Sequence, residues 1–471
     1  MSARRRPEAA ATTEFVEFMY LYRKQIPVIA SPDILVVGSG SAGATAAIAA
    51  ARVARRISSH PQVLLVERYG FLGGISTGVL DTFYGFYTPG KIAKKVVSGI
   101  PDDVVAEIRK LDRVIERPNT FGAGTGITYN PEILKVVWER LAEQAGVQLL
   151  YHTFVTDTLR KGPRVTGVIV SSKAGLGSIE AKIVVDASGE ADVAARAGAA
   201  FEMAGEQAPA QTLTTTFRLA NVNVKQARLL PRPEFVARLT AAAESGRYDL
   251  PRREGSVHIT PIEGVMATIM TRVKFADPTQ PEVLTSAEIE GRRQALEYVR
   301  FLRDQIPGYQ SASLVSFSTQ IGVRESRRIY GEYRLTREDV LTARKFPDVI
   351  GLCGAPIEAH HSGAGTDWIY LPEGETVDIP YRALVPQKVE NLLVAGRCFS
   401  ATHDAHAAVR SMAQCMAMGQ AAGCAAALCL ERKQMPRELP RGGLQKELRR
   451  LGATLETPAG VCRKLKGGPV S

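Results

Sequence analysis

This chain has no C-x-x-C pair. Its six cysteines, at 353, 398, 415, 424, 429 and 462 of 471 residues, lack the spacing on which zinc and iron–sulfur frameworks are built. The four from Cys398 to Cys429 stand in apolar surroundings and read as buried thiols, which suits a reducing compartment. The first thirty residues carry arginines but no uninterrupted apolar core of the signal-peptide kind, and the expected location is cytoplasmic. Internal repeats and low-complexity segments are not evident. Acidic residues are in the minority: 48 Asp and Glu against 59 Lys and Arg leave a formal charge of +11. That surplus is scattered, apart from "ARRRPE" near the N-terminus and "RKLKGG" near the C-terminus. Basic tails are usually solvated, so nucleic acid is not an expected partner. The longest apolar run, "MAQCMAMGQAAGCAAALCL" from Met412, approaches the length of a membrane span. Its Gln414, Gln420 and many small residues read instead as a closely packed interior helix, and no membrane span is expected.

What is present begins with "DILVVGSGSAGATAAIAAA". Ile34–Val37 reads as a buried parallel strand and the alanine-rich stretch behind Gly43 as a helix. Gly38, Gly40 and Gly43 make the G-x-G-x-x-G turn between them. A strand, a tight turn and a helix N-terminus bring unpaired amides and the positive end of a helix dipole to one point, which suits a pyrophosphate. The next strand, "VLLVE", ends at Glu67, 24 positions past Gly43. A carboxylate there accepts hydrogen bonds from both ribose hydroxyls and repels a 2′-phosphate.

Apolar and charged residues make up 45% and 23% of the chain, as in an ordinary globular protein, and its length calls for more than one core. "NPEILKVVWERLAEQAG" predicts an amphipathic helix with Asn130 as N-cap, Pro131 in the first turn and Gly146 as C-cap. The strand "VQLLYHT", a hairpin around Gly162-Pro163 and the buried strand "AKIVVDASG" follow. This is a doubly wound nucleotide-binding half with a β-meander crossover. From about Phe201 the pattern shifts to alternating strands such as "TLTTTFRLANV" and "VMATIMTRVKF", with the helix "SAEIEGRRQALEYVRFLRDQI" between strands. "NLLVAGRCFS" then returns to a buried strand. The expected organisation is an N-terminal arm (1–30), a discontinuous nucleotide-binding domain (31–200 and 385–445), an inserted α+β substrate or cap domain on an antiparallel sheet (201–384) and a C-terminal tail (446–471).

Four separated stretches together resemble the FAD-dependent oxidoreductases of the glutathione-reductase structural group, and within it the broad "FAD-dependent oxidoreductase" family. They are the glycine turn with "VLLVERYGFLGGIST", then "VVDASGEADVAARAG", then "IGVRESRRIYGEYRLTREDV", and finally "IPYRALVPQKVENLLVAGRCFSATHDAHAAVRSMAQCMAMGQAAG". They sample most of the chain from residue 31 to about 430. The resemblance implies an α/β Rossmann-like fold binding one non-covalent FAD. Gly38, Gly40, Ser41, Ala42 and Gly43 would receive the diphosphate, with Glu67 at the ribose and Arg68 along the adenine. Gly73 and Gly74 let the backbone pass close to the diphosphate, while Ser76 and Thr77 can bond it or the ribityl chain. Val155, Ala187, Ser188 and Gly189 belong to further turns at the cofactor. Gly396 and Arg397 bring the ribityl and pyrophosphate back to the protein, and Met418, Gly419 and Ala421 in "MAMGQAAG" are expected at the flavin O2/N1 edge, where backbone amides stabilise negative charge.

The implied activity is that of a dehydrogenase or oxidase moving a hydride from carbon of a small or medium organic substrate to flavin N5. Dioxygen or an unknown carrier would reoxidise the flavin, and a homo-oligomer is compatible with the sequence. Alternatives are a flavin monooxygenase or halogenase, although the halogenase's tryptophan-bearing motif is not evident, and a flavoprotein acting on nucleic acid, such as tRNA modification. An electron-transfer subunit without its own organic substrate would ordinarily carry cysteine motifs this chain lacks.

Histidine is scarce, seven in all, which draws attention to His360-His361 in "EAHHSGAGTDW" and to His403 and His406 in "SATHDAH". A neutral imidazole can take the proton that leaves when a C–H bond gives up its hydride. His361 and His403 are the candidate bases and Tyr370 the next, and each of them can equally be structural. Adjacent loop histidines rarely ligate one ion together, so no metal is expected. Arg324 and Arg327 either clamp a substrate carboxylate or pair with Glu325 or Glu332. Tyr84 and Tyr87 either line the flavin face or fill the core. Asp192 is expected to cap the helix behind it.

Overall fold

The computed structural model describes residues 22–57, 60–91, 93–117, 126–360, 363 and 365–459. His361, Cys462 and most of the N-terminal arm therefore lie outside the described residues.

Five short apolar strands form an all-parallel sheet in the order Leu392–Val394, Ile183–Asp186, Ile34–Val37, Val63–Val66, Gln148–Leu150. The first four are buried throughout because both faces of the sheet are covered. The two-residue period of a strand divides its side chains between two cores. Ile34, Val36, Val63 and Leu65 join the helical core, while Leu35, Val37, Leu64 and Val66 pack with Val165, Val168 and Ile179 of the meander. That meander comprises Phe154–Lys161, Arg164–Ser172 and Gly175–Glu180, paired antiparallel. Val28–Ala30, expected within the N-terminal arm, adds to it as a parallel edge strand. Asn130, Pro131 and Gly146 bound the helix Pro131–Ala145 as expected. The Asn130 side chain accepts the Glu132 amide at 3.1 Å, and Gly146 takes the left-handed conformation.

The long helix Met412–Arg432 is apolar and long enough to cross a bilayer, and 89% of its most apolar window is buried in this fold. Its small residues are explained by the neighbour they touch, the glycine-turn helix Ser41–Ala54. A Cβ on Gly419 would lie 2.0 Å from the Ala42 carbonyl oxygen, and one on Gly423 would lie 2.1 Å from that of Ala46. Gly419 therefore serves helix–helix packing, and none of Met418, Gly419 and Ala421 lines the cavity described below. Gly423→Ala should cost about 1–3 kcal/mol, since the two helices must move apart to admit the methyl group. The check is the midpoint of denaturant unfolding, and an unchanged midpoint would contradict this packing.

The inserted unit is an antiparallel sheet in the order Ser256–Ile259, Met266–Ile269, Phe217–Ala220, Ser313–Phe317. It has its own core, in which Phe217, Leu239 and Met266 meet Tyr298, Phe301 and Leu302 of the helix Pro281–Gln305. The chain rejoins the main core well before residue 384, because Leu335, Val340, Ile350, Leu352 and Ile379 cluster with the helices of the nucleotide-binding half.

Candidate active site

A cavity of about 1130 Å³ opens where the carboxyl ends of the parallel strands face the inserted sheet. Its lining includes the residue just past each of four strands: Gly38, Glu67, Ala187 and Ala395. In open α/β sheets this crevice, where strand order reverses, is where ligands bind.

The glycines of the turn divide by function. Gly38 has φ +85°, and its Cβ would fall 2.6 Å from the Ala187 oxygen. A Cβ on Gly43 would lie 1.8 Å from the Gly38 oxygen. These two permit strand and helix to pack. Gly40 differs, since a Cβ there meets nothing within 4 Å and would project into the cavity it lines. Gly40 is also the N-cap of Ser41–Ala54, and no side chain caps that helix. Its first amides are thus available to an anion. This is a cradle that a side chain would fill, and it fits a diphosphate.

Glu67 is buried beside this turn. Its Oε2 accepts the Ser39 amide at 2.8 Å, and its Oε1 accepts the Tyr69 amide at 3.0 Å. The Ser39 hydroxyl also donates to Oε2 at 2.5 Å, so of the carboxylate's roughly four lone-pair sites one on Oε1 remains for a ribose hydroxyl. Arg68, Val155, Ser41, Ala42, Gly74, Ser188, Gly189, Gly396 and Arg397 also line the cavity. Arg397 is held by Glu190 at 2.8 Å and by Ser326 at 3.0 Å. Gly73, Ser76 and Thr77 do not line it. Ser76 Oγ donates to the Gly73 oxygen and Thr77 Oγ1 to that of Leu72, each at 2.7 Å, so both hydroxyls close the turn from within.

The catalytic candidates separate more sharply. Arg324 lines the cavity and donates to the Thr212 oxygen and Thr214 Oγ1, both at 2.6 Å. His403 does not line it. It opens the helix His403–Val409, and its Nδ1 contacts Glu325 Oε1 at 3.0 Å. Glu325 also accepts from Arg328, which reaches Glu202 in turn. Burial raises the Glu325 carboxyl, but His403, His406 and Arg328 outweigh it and hold the group at about 2. His403 is thus part of a buried network that ties the paired strands Phe201–Met203 and Arg327–Ile329 to the helix His403–Val409. His406 donates from Nε2 to the Arg397 oxygen at 2.8 Å. Tyr370 is 42% exposed and does not line the cavity, whereas Trp368 of the same hairpin does. Tyr84 lines it too. Arg327 bridges Asp192 at 3.2 Å rather than Glu325 or Glu332. Asp192 is the first residue of its helix, and the carboxylate capping that helix is Asp186, which accepts the Ala194 amide at 2.9 Å.

Two histidine–carboxylate pairs face this space, one on His258, which the sequence did not single out, and one on His360, which it did. His258 Nε2 lies 2.7 Å from Asp81 Oδ1, with both side chains buried. Burial raises the Asp81 carboxyl, but the neighbouring His258 outweighs it and holds the group below the usual carboxylate range. Among the described residues nothing else hydrogen-bonds the His258 ring, and His258 lines the cavity. In the second pair His360 Nε2 meets Glu358 Oε1 at 2.7 Å and its Nδ1 meets Thr366 Oγ1 at 3.2 Å, so both ring nitrogens are engaged. Burial, and after it Arg324, pushes the His360 imidazole well below its ordinary value. The period-2 pattern of "SVHIT" is the local signal for His258, since it sets a lone imidazole on the same strand face as Ser256, another lining residue.

A glycine turn, a buried strand-end carboxylate and a crevice at the sheet's switch point define a dinucleotide-binding α/β protein. The family model for FAD dependent oxidoreductases matches residues 33–448, and this chain belongs to that family. It is an FAD-dependent oxidoreductase, with FAD as its cofactor. No curated protein matches its sequence significantly. Among solved structures it is similar to a geranylgeranyl bacteriochlorophyll reductase-like protein from Thermoplasma acidophilum, at 13% identity and TM-score 0.45 over 90% of this chain and 83% of that one. It is also similar to the flavin-dependent brominase Bmp2, at 14% identity and TM-score 0.45 over 89% and 83%. A third is p-nitrophenol 4-monooxygenase from Pseudomonas putida, at 12% identity and TM-score 0.44 over 89% and 84%.

Proposed function

We propose that this oxidoreductase oxidises a small organic substrate at carbon, with His258 as the proton acceptor. The observation that carries the reading is the buried His258–Asp81 pair opening on the same cavity as the glycine turn. FAD, held non-covalently along Gly38–Ala42, Glu67, Gly189 and Gly396, supplies the two-electron acceptor when bound. Breaking a C–H bond by hydride loss next to a hydroxyl or amine leaves one proton to be removed, and the protein must provide its acceptor. Asp81 accepts the Nε2 hydrogen of His258, which fixes the tautomer and leaves the Nδ1 lone pair for that proton. The positive charge that forms on the ring is then stabilised by the adjacent carboxylate. The walls formed by Tyr84, Leu80, Val79 and Trp368 limit water around the reacting carbon.

The test is anaerobic bleaching of the FAD-loaded protein by a library of alcohols, amines and hydroxy acids. Bleaching by one of these without a nicotinamide is expected. Rapid bleaching by NADH alone, with no response to any organic donor, would overturn this reading in favour of a monooxygenase or halogenase.

A further inference from the structure

Three arginines from separate parts of the chain converge on the cavity. Arg252 precedes the strand Ser256–Ile259, Arg324 follows Ser313–Phe317, and Arg410 caps the helix His403–Val409. Glu358 stands near all three and is already engaged by His360 at 2.7 Å, while Glu254 is near Arg252 and Glu325 near Arg410. Arg252 is only 7% exposed, and among the described residues its guanidinium makes one hydrogen bond, from Nη1 to the Ile269 oxygen at 3.1 Å. Its Nε is buried without a hydrogen-bond partner among the described residues, as are Nε and Nη2 of Arg410. Among the described residues Arg324 donates only to neutral oxygens.

A guanidinium in this position is costly. Each buried donor left unpaired forfeits its hydration, and like charges gathered in a low-dielectric space repel one another. Burial, followed by Arg252 and Arg410, pushes the Arg324 guanidinium well below its ordinary value. Burial raises the Glu358 carboxyl, yet His360, Arg410 and Arg324 together hold it down at about 2. The carboxylates here already have partners, Glu358 in His360, Glu254 in the Thr366 amide and Glu325 in Arg328, and the unpaired donors of Arg252 and Arg410 remain to be filled.

We propose that Arg252 and Arg324, with Arg410 beside them, form a recognition site for a carboxylate on the substrate, so that the oxidised molecule is an organic acid. A guanidinium presents its donors as a planar fork matching the two oxygens of a carboxylate. A carboxylate here supplies the missing acceptors of the buried guanidiniums. It also anchors one end of the substrate in the cavity that His258 lines. Arg410 adjoins Ser411 and Met412, which line the cavity along with Gly396, so the test is placed on Arg252 and Arg324.

The proposal rests on the cavity being the place where FAD and substrate meet, and the experiment separates the two. FAD-loaded protein is titrated with formate, succinate and benzoate, each beside its amide, and followed by the visible flavin band and by calorimetry. At least one acid is expected to bind about 10-fold or more tightly than its amide. Arg324→Gln and Arg252→Gln should each weaken that acid by about 10- to 100-fold at unchanged FAD content. Should either glutamine variant fail to fold, Arg324→Lys and Arg252→Lys carry the comparison, with a smaller loss expected because the charge stays and the fork is removed. Acids that bind no better than their amides, or equally well to wild type and variants, would overturn the carboxylate site. A wild-type chain that takes up no FAD would overturn the cavity reading itself.

Discussion

Gly40→Val is expected to yield a folded protein without yellow colour. Gly40 has φ −54° and ψ 178°, a conformation open to any residue, and a Cβ there meets nothing within 4 Å. The valine thus displaces no part of the protein. Its methyl groups enter the space in front of the Ser41–Ala54 N-terminus, where the diphosphate must come within hydrogen-bond distance of backbone amides. FAD affinity should fall at least about 100-fold, equivalent to about 2.8 kcal/mol. A ligand at 100 times its Kd stabilises the native state by about 2.7 kcal/mol, so added FAD should raise the unfolding temperature of wild type and leave that of the variant unmoved. Gly43→Val is the contrast, because its Cβ would strike the Gly38 oxygen at 1.8 Å, and it should lose fold and cofactor together. Normal FAD uptake by Gly40→Val would show that the dinucleotide does not cross this turn.

The comparison of these two glycines bears on what a sequence reveals. Local chemistry was legible: the strand and helix around the turn, the capped helix Pro131–Ala145, the meander and the chain's return at Leu392–Val394 each follow from periodicity and turn residues within a short window. Which glycine cradles a ligand and which admits a neighbouring backbone was not legible. That depends on Ala187 for Gly38 and on Ala42 for Gly419, partners more than a hundred residues away. The same limit governs the site. His403 stands shortly behind the Gly396 turn in sequence, yet its ring is taken by Glu325, 78 positions earlier in the chain. His258 stands on a modest strand, and only the folding of the inserted sheet over the crevice brings Asp81 to it, 177 positions earlier in the chain. Arg252 and Arg410 have no local signature, since an isolated arginine in sequence is ordinarily a solvated one.

The removal of His258 should then separate chemistry from cofactor binding. His258→Asn is expected to retain FAD and cut the rate of flavin reduction by about 10²- to 10⁴-fold, the usual contribution of a positioned general base. The measurement is single-turnover bleaching under anaerobic conditions, with the donor that reduces wild type fastest. Asparagine keeps a donor that can face Asp81, so the buried carboxylate is not abandoned and the fold should hold. Asp81→Asn tests the second half of the pair. The ring would keep its place but lose the partner that fixes its tautomer and stabilises its charged form, and a smaller loss is expected. The sign of the pH effect follows from Asp81, whose carboxyl is held below its ordinary value, burial notwithstanding, by His258. Its contribution to stability is complete above the unfolded value and disappears as pH falls through the lower folded one. Across the neutral range it is therefore charged, and any fall in wild-type rate there must come from a group other than Asp81. Flavin reduction at the wild-type rate in His258→Asn would remove His258 from the chemistry.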